Sequence, residues 1–267
     1  MEDSTFQTVE TISGLKYPVM IVFSSDGKKL FASKSPLAPG ALTGVYEIDA
    51  QTMTLLSEII LPIADVPHGI AITPDDKLLF TDMKWDLIYI YNTLTHDYDG
   101  DPIEISPGQA TIHEPVHAYT SPDGQYLYVL CMTSNYVIIY DIQSRQEVTR
   151  LAMGNHPMQM AITPDGSKIY VTIFHEGKIK IIRKDGTAWS IENEISHSAF
   201  HMLWGIDMTQ DGKYIVATSS NQTDSYEPRY KPNDKQRISN VVFIDATTNE
   251  VVRIPDVERY ASGINAR

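Results

Sequence analysis

The chain has 267 residues, 42% of them hydrophobic and 21% charged, with 21 Lys and Arg against 34 Asp and Glu for a formal net charge of −13. That balance is one of a folded chain rather than a disordered one, and the acidic excess argues against a nucleic-acid backbone binder. No run of about 18 apolar residues predicts a membrane span. The single cysteine, Cys131, excludes an intrachain disulfide framework, and the acidic start Met1-Glu2-Asp3-Ser4 does not read as a secretory signal.

In chain order, Phe6 to Ile12 reads as an outer strand standing before the first complete repeat. Five related segments follow, centred on Ser25-Asp26-Gly27, Pro74-Asp75-Asp76, Pro122-Asp123-Gly124, Pro164-Asp165-Gly166 and Gln210-Asp211-Gly212. Their first aspartates are separated by 49, 48, 42 and 46 residues, the period of a β-propeller blade. Each turn joins two apolar runs, as a hairpin does: His68 to Ile72 before the turn in the second repeat, and Tyr126 to Leu130 after it in the third. Third strands are predicted at Val45–Asp49, Leu87–Tyr91, Tyr136–Tyr140, Lys178–Ile182 and Val241–Asp245, all rich in β-branched and aromatic residues. Fourth strands are predicted at 55–61, 102–105, 147–153, 188–195 and 250–254. No amphipathic helix or linker interrupts them.

The expected fold is therefore an all-β propeller of four-stranded antiparallel blades, within one domain over 1–267. The blades are predicted at 15–61, 66–106, 114–153, 156–195 and 202–255, with parts of another at 6–12 and 260–267. Tyr260 to Ala266 aligns with the first strand at Pro67, Gly263 matching Gly69. A closed propeller leaves no exposed edge, so the reading is a six- or seven-bladed propeller, either truncated here or completed by a second chain.

The fourth repeat carries His156-Pro157, Ala161-Ile162-Thr163-Pro164-Asp165-Gly166 and Tyr170-Val171-Thr172, with Ile173 in place of an asparagine. The fifth adds Val242-Phe243-Ile244-Asp245-Ala246-Thr247-Thr248-Asn249-Glu250-Val251-Val252. On these segments the chain resembles the YVTN family of bacterial and archaeal propellers. The resemblance implies an extracytoplasmic setting, in the periplasm or at the cell surface. It also implies proximity to propeller lactonases and to the propeller parts of redox enzymes.

In such blades the entry to the first strand and the loop between second and third strands share one face. His68, His117, His156 and His201 precede the turn aspartates by 7, 6, 9 and 10 residues, with His113 and His197 just upstream. That places six of eight histidines at the mouth and sets His96 and His175 aside. Such imidazoles serve their own blades structurally, hold a transition metal, or carry acid–base chemistry. Glu114 and Asp207 are carboxylates placed to orient them. Met20, Met158, Met160, Met202 and Met208 read as gap-filling core, with a soft-metal role as the alternative. Trp204 is either a stacking platform or blade packing.

Two long loops, 33–44 and 219–240, invite a partner. The second holds Tyr226, Arg229 and Tyr230 and an Asn221-Gln222-Thr223 sequon. The repeated Asp-Gly pairs read as turns, and Cys131 as an inert buried thiol. No nucleophile elbow, zinc-protease motif, phosphate loop or dinucleotide fingerprint is present.

The leading expectation is a non-catalytic binding or scaffold propeller. It would present its histidine- and loop-rich face, with Trp204, Tyr226, Arg229 and Tyr230, to a small ligand, glycan or protein. One alternative is a lactonase-like hydrolase using His117 and His156 for acid–base work, with Arg229 as carboxylate or oxyanion partner. The other is a metal-binding, redox-associated propeller with His68, His117, His156 and His201 as ligands.

Overall fold

The structure is a computed structural model that describes residues 11–35, 43–61, 66–108, 112–220, 239–257, 261 and 264. It is an all-β propeller of five antiparallel blades. By contacts the chain divides into two compact units, Met1–Gln109 and Ala110–Arg267.

The first unit holds two blades. Blade 1 is β1 (Pro18–Phe23), β2 (Lys29–Lys34), β3 (Gly44–Asp49) and β4 (Thr54–Ile60), hydrogen-bonded in that order. Blade 2 is β5 (Pro67–Ile72), β6 (Lys77–Asp82) and β7 (Leu87–Asn92), followed by β8 (Asp97–Tyr98) and β9 (Ile103–Glu104). Phe31, Val45, Ile59 and Leu61 of blade 1 pack on Ile70, Leu78, Phe80, Tyr89 and Tyr91 of blade 2. Phe80 and Tyr89 stack at 5.4 Å between ring centroids.

The second unit holds three. Blade 3 is β10 (Pro115–Thr120), β11 (Tyr126–Cys131), β12 (Tyr136–Asp141) and β13 (Gln146–Ala152). Blade 4 is β14 (Pro157–Ile162), β15 (Lys168–Ile173), β16 (Lys178–Asp185) and β17 (Ala188–Ser196). Blade 5 is β18 (Leu203–Met208), β19 (Tyr214–Ser219), β20 (Ser239–Asp245), β21 (Val251–Arg253) and β22 (Asp256–Val257). Tyr170, Ile179 and Ile181 of blade 4 share one core with Leu203, Ile206, Ile215, Val242 and Ile244 of blade 5.

Two fourth strands differ from expectation. In blade 2 both β8 and β9 pair with β7, and in blade 5 both β21 and β22 pair with β20. The outermost strand has the least apolar surface to pack, and short, broken edge strands resist pairing with other chains. The additional partial blade is not among the described elements. Residues 6–10, 260, 262, 263 and 265–267 lie outside the described residues. Ile12 forms no strand and packs with Leu15 against Leu30, Ala32, Tyr46 and Ile48. Met158, Met160 and Met208 are buried, as gap-filling core residues are, and Cys131 is buried.

Every first-to-second-strand turn uses one device. A Ser or Thr hydroxyl donates to the Asp two residues on: Ser24 to Asp26, Thr73 to Asp75, Ser121 to Asp123, Thr163 to Asp165 and Thr209 to Asp211. The next residue adopts positive φ, at Gly27, Asp76, Gly124, Gly166 and Gly212. Asp76 bears that conformation without being glycine. Its carboxylate accepts from the Ser25 backbone N–H at 2.8 Å and the Ser25 hydroxyl at 3.0 Å, tying blade 2 to blade 1.

The third-to-fourth-strand turns are capped by Asp49, Asp141 and Asp245, which accept from the Thr52, Ser144 and Thr248 backbone N–H groups. Hydrogen bonding to the ionised form holds these carboxyls below the ordinary 3.8. The hydroxyl is the main cause at Asp123, Asp165 and Asp211, and the backbone N–H at Asp26, Asp49, Asp141 and Asp245. Asp211 is held down at about 2. A depressed carboxyl contributes stability above its unfolded pKa and loses it as pH falls through its folded pKa. The unfolding free energy from urea titrations is therefore expected to hold above about pH 5 and to fall from about pH 4 down to about pH 2. A flat profile across that window would show that the turn carboxylates are not coupled to folding.

Candidate functional site

The antiparallel pairing brings the candidate residues to one end of each blade. In blade 4, Pro157 lies opposite Ile173, which lies opposite Lys178, which lies opposite Ser196. The entry residue His156, the loop 174–177 and His197 therefore share one sheet end. In blade 3 the same pairing of Pro115, Cys131, Tyr136 and Ala152 gathers Glu114, the loop 132–135 and Gly154.

The entry residue takes positive φ at Tyr17, Glu114, His156 and Met202. The strained backbone of His156, with φ 65°, thus belongs to the repeat and is not peculiar to this histidine. Its neighbours hold it there. The His156 N–H donates to Asn135 Oδ1 at 2.9 Å, and its carbonyl accepts from Phe174 N–H at 2.9 Å. Asn155 N–H donates to Glu176 Oε1 at 2.8 Å, and His175 N–H donates to the Asn155 carbonyl at 3.3 Å.

Four rings follow one another across blades 4 and 5. Trp204 meets Phe174 edge-on at 4.8 Å, Phe174 meets His175 at 4.8 Å, and His175 meets His156 at 4.4 Å. Edge-to-face contacts at these distances match the charge distribution of aromatic rings. Phe174 is buried and His175 exposed, while His156 and Trp204 are half-buried. The Trp204 carbonyl accepts from the Thr172 hydroxyl at 3.0 Å, which fixes the tryptophan's backbone against blade 4. Burial, and then the neighbouring His175, push the His156 imidazole below its ordinary 6.5, while Glu114 works in the opposite sense. His156 therefore presents a neutral ring at pH 7.

The other mouth histidines keep separate local engagements. His113 Nδ1 lies 2.7 Å from the Ser134 hydroxyl, and His201 Nδ1 lies 3.1 Å from the Ser220 carbonyl. His197 Nδ1 accepts from Ala199 N–H at 3.1 Å. His117 is 4% exposed within β10, its ring 6.4 Å from that of Tyr119. In the first unit the His68 carbonyl accepts from the Ser33 hydroxyl.

Among the described residues no group of three His, Cys, Asp or Glu side chains converges as a metal site. The expected ligands His68, His117, His156 and His201 are not gathered into such a group. Glu114 accepts from the Thr133 hydroxyl, and Asp207 accepts from the Met208 N–H at 2.8 Å. Arg229, Tyr226, Tyr230 and the sequon at Asn221 lie outside the described residues.

Two residues escape the sequence reading. His175, set aside as remote from the mouth, sits in the loop between second and third strands and touches His156. The placement of that loop between Ile173 and Lys178 was the signal. Trp85 is 45% exposed in the corresponding loop of blade 2, where Asp82 Oδ1 accepts from the Lys84 and Trp85 N–H groups.

Gly177 closes the loop at φ 56°, and a Cβ there would stand 2.7 Å from the Phe200 carbonyl oxygen. Gly177→Ala is expected to lower stability by about 2–3 kcal/mol, adding a backbone clash to left-handed strain. At Gly186, φ 60°, a Cβ meets nothing within 4 Å, so Gly186→Ala should cost only about 1 kcal/mol. Thermal melts of the two variants separate clash from strain, and equal losses would refute the close approach.

The chain matches no protein-family model. It is 24% identical over 187 residues to Antigen Lp49 of Leptospira interrogans serogroup Icterohaemorrhagiae serovar copenhageni. That match covers 63% of this chain and 39% of the antigen, so the chain spans well under half of that relative. Among solved structures it resembles Kuenenia stuttgartiensis hydrazine synthase with a TM-score of 0.73 and 22% identity, covering 94% of this chain and 69% of that one. It resembles a functionally unknown protein from Desulfotomaculum acetoxidans with a TM-score of 0.62 and 13% identity, covering 90% and 74%. The β-propeller domain of Myceliophteria thermophila Cps50 (Swd1) matches with a TM-score of 0.56 and 10% identity, covering 96% and 92%. At these identities the likeness is one of fold, and the fold it supports is the β-propeller.

Proposed function

We propose that this chain is a binding propeller that takes its ligand on the loop face of blades 4 and 5. The observation carrying this reading is the run of rings Trp204–Phe174–His175–His156, which ends beside the Asn155 and Glu176 side chains. Buried Phe174 and the bonded Trp204 backbone make this platform rigid, and rigid aromatic surface loses little freedom on binding. Convergent polar groups at the edge of an apolar surface give orientation and specificity. The ligand class that fits is a polar molecule with one flat apolar face, such as a glycan ring or an aromatic small molecule. The periplasmic or surface setting implied by the YVTN resemblance belongs to the same proposal.

A glycan and small-molecule array probed with the full chain tests the reading. A hit whose affinity falls at least about tenfold in Trp204→Ala, as loss of an aromatic anchor predicts, and holds in Trp85→Ala supports it. Hits that ignore Trp204, or no hits at all, count against it.

A further inference from the structure

We propose that His156 and His175 form a two-imidazole site for a borderline divalent transition metal, copper above all. The two rings stand 4.4 Å apart between centroids with their planes at 78°. Two imidazoles in adjacent positions on one ion, each with a metal–nitrogen bond of about 2.1 Å, hold their ring centres about 4.5–5 Å apart. The pair already has nearly that spacing.

The tautomer of His156 is set. Its Nδ1 lies 2.8 Å from Asn155 Oδ1. An amide oxygen only accepts, so Nδ1 carries the proton and Nε2 carries the lone pair. A second group that fixes the non-ligating nitrogen is how proteins orient metal-binding histidines. His156 itself is locked by Asn135 on one side and Phe174 on the other. His175 is exposed at the solvent side of the pair.

The surroundings favour a cation. The Glu176 carboxylate is pinned by the Asn155 N–H at 2.8 Å, against the bare face of Gly154, where a Cβ would stand 2.2 Å from Glu176 Oε1. No third His, Cys, Asp or Glu converges with the pair among the described residues, so water or a ligand atom completes the coordination. Such an open site ranks metals by intrinsic affinity, which places Cu2+ above Ni2+ and Zn2+.

The test is isothermal titration of tag-free full-length protein with Cu2+ and Zn2+, together with electron paramagnetic resonance of the copper form. The expected result is one equivalent of Cu2+, bound more tightly than Zn2+, with hyperfine structure from two nitrogens. Affinity should fall at least about tenfold in His175→Ala, as a lost ligand does, and stay unchanged in His201→Ala and His197→Ala. His175 is a surface side chain, so its variant folds, and a matching thermal melt verifies that. Copper binding retained in His175→Ala overturns the proposal, as does absence of binding in the wild-type chain. The inference shares His175 and His156 with the proposed ligand platform, and Trp204→Ala separates the two readings, because it removes the tryptophan end of that platform and leaves both proposed copper ligands in place.

Discussion

Trp189→Ala is expected to lower the unfolding free energy by about 3–5 kcal/mol, the range for a large aromatic removed from a core. Trp189 lies on β17, the fourth strand of blade 4, where exposed residues predominate, yet it is only 8% exposed. Its ring meets Tyr126 of blade 3 edge-on at 4.7 Å. Lys184, which pairs with it across the hairpin, places its ammonium 4.5 Å from the Tyr126 ring centre and 5.5 Å from that of Trp189. Beside them burial pushes the Tyr128 phenol up to about 12, with Trp189 acting in the opposite sense. One side chain thus closes the outer seam between blades 3 and 4. Its removal leaves a void that two rigid sheets cannot collapse to fill. Trp189→Phe retains a ring against Tyr126 and should recover more than half the loss. Lys184→Gln should cost about 0.5–1 kcal/mol, the value of an exposed cation–π contact. Urea unfolding monitored by circular dichroism reads all three, and a Trp189→Ala loss below about 1 kcal/mol would show that the seam is held elsewhere.

The blades were legible because their chemistry recurs. Each turn needs a hydroxyl, a carboxylate two residues later and a residue tolerant of positive φ, so the same residue types return at a near-constant spacing. Even the exception follows a rule, since Asp76 adopts the glycine conformation and uses its carboxylate on Ser25. A second recurrence was visible only as composition. Ser33, Thr81, Thr172 and Thr218 follow the turn aspartates by 7, 6, 7 and 7 residues, and all four are buried. Each accepts from a first-strand N–H of its own blade, and those of Ser33 and Thr172 also donate to a first-strand carbonyl of the next. Spacing alone does not say that a buried hydroxyl joins two blades.

The site was half legible for the same reason. His156 stood out at the start of a strand, but its companions arrive from elsewhere in the chain. Asn135 bonds it from 21 residues upstream and His175 meets it from the next loop. Contacts across blades depend on the angle between sheets, and sequence periodicity carries no information about that angle. Six histidines were expected near the mouth with structural, metal or acid–base roles left open, and His113 and His201 make blade-local bonds to Ser134 and Ser220.

Thr172→Val is the substitution that links fold to site, with an expected loss of about 2–3 kcal/mol. Valine keeps the shape and the β-branch, so packing on β15 changes little, and only the hydroxyl is lost. That hydroxyl is fully buried. It accepts from Gln159 N–H at 3.1 Å and donates to the Trp204 carbonyl at 3.0 Å. Removing it leaves two backbone groups without this partner, and an unsatisfied buried group costs about 1–3 kcal/mol. Blade 3 has Leu130 at the equivalent position, opposite His117, so a propeller blade forms without the hydroxyl. What Thr172 adds is the tie between blade 4 and the strand that bears Trp204. The variant is therefore expected to lose ligand affinity along with stability, because the Trp204 backbone is released from Phe174's blade. Thr172→Ser restores the bond with one methyl fewer and should recover most of both. Stability measured by urea unfolding and affinity by titration decide the matter together. A Thr172→Val protein that loses stability but keeps full affinity would place the ligand away from Trp204.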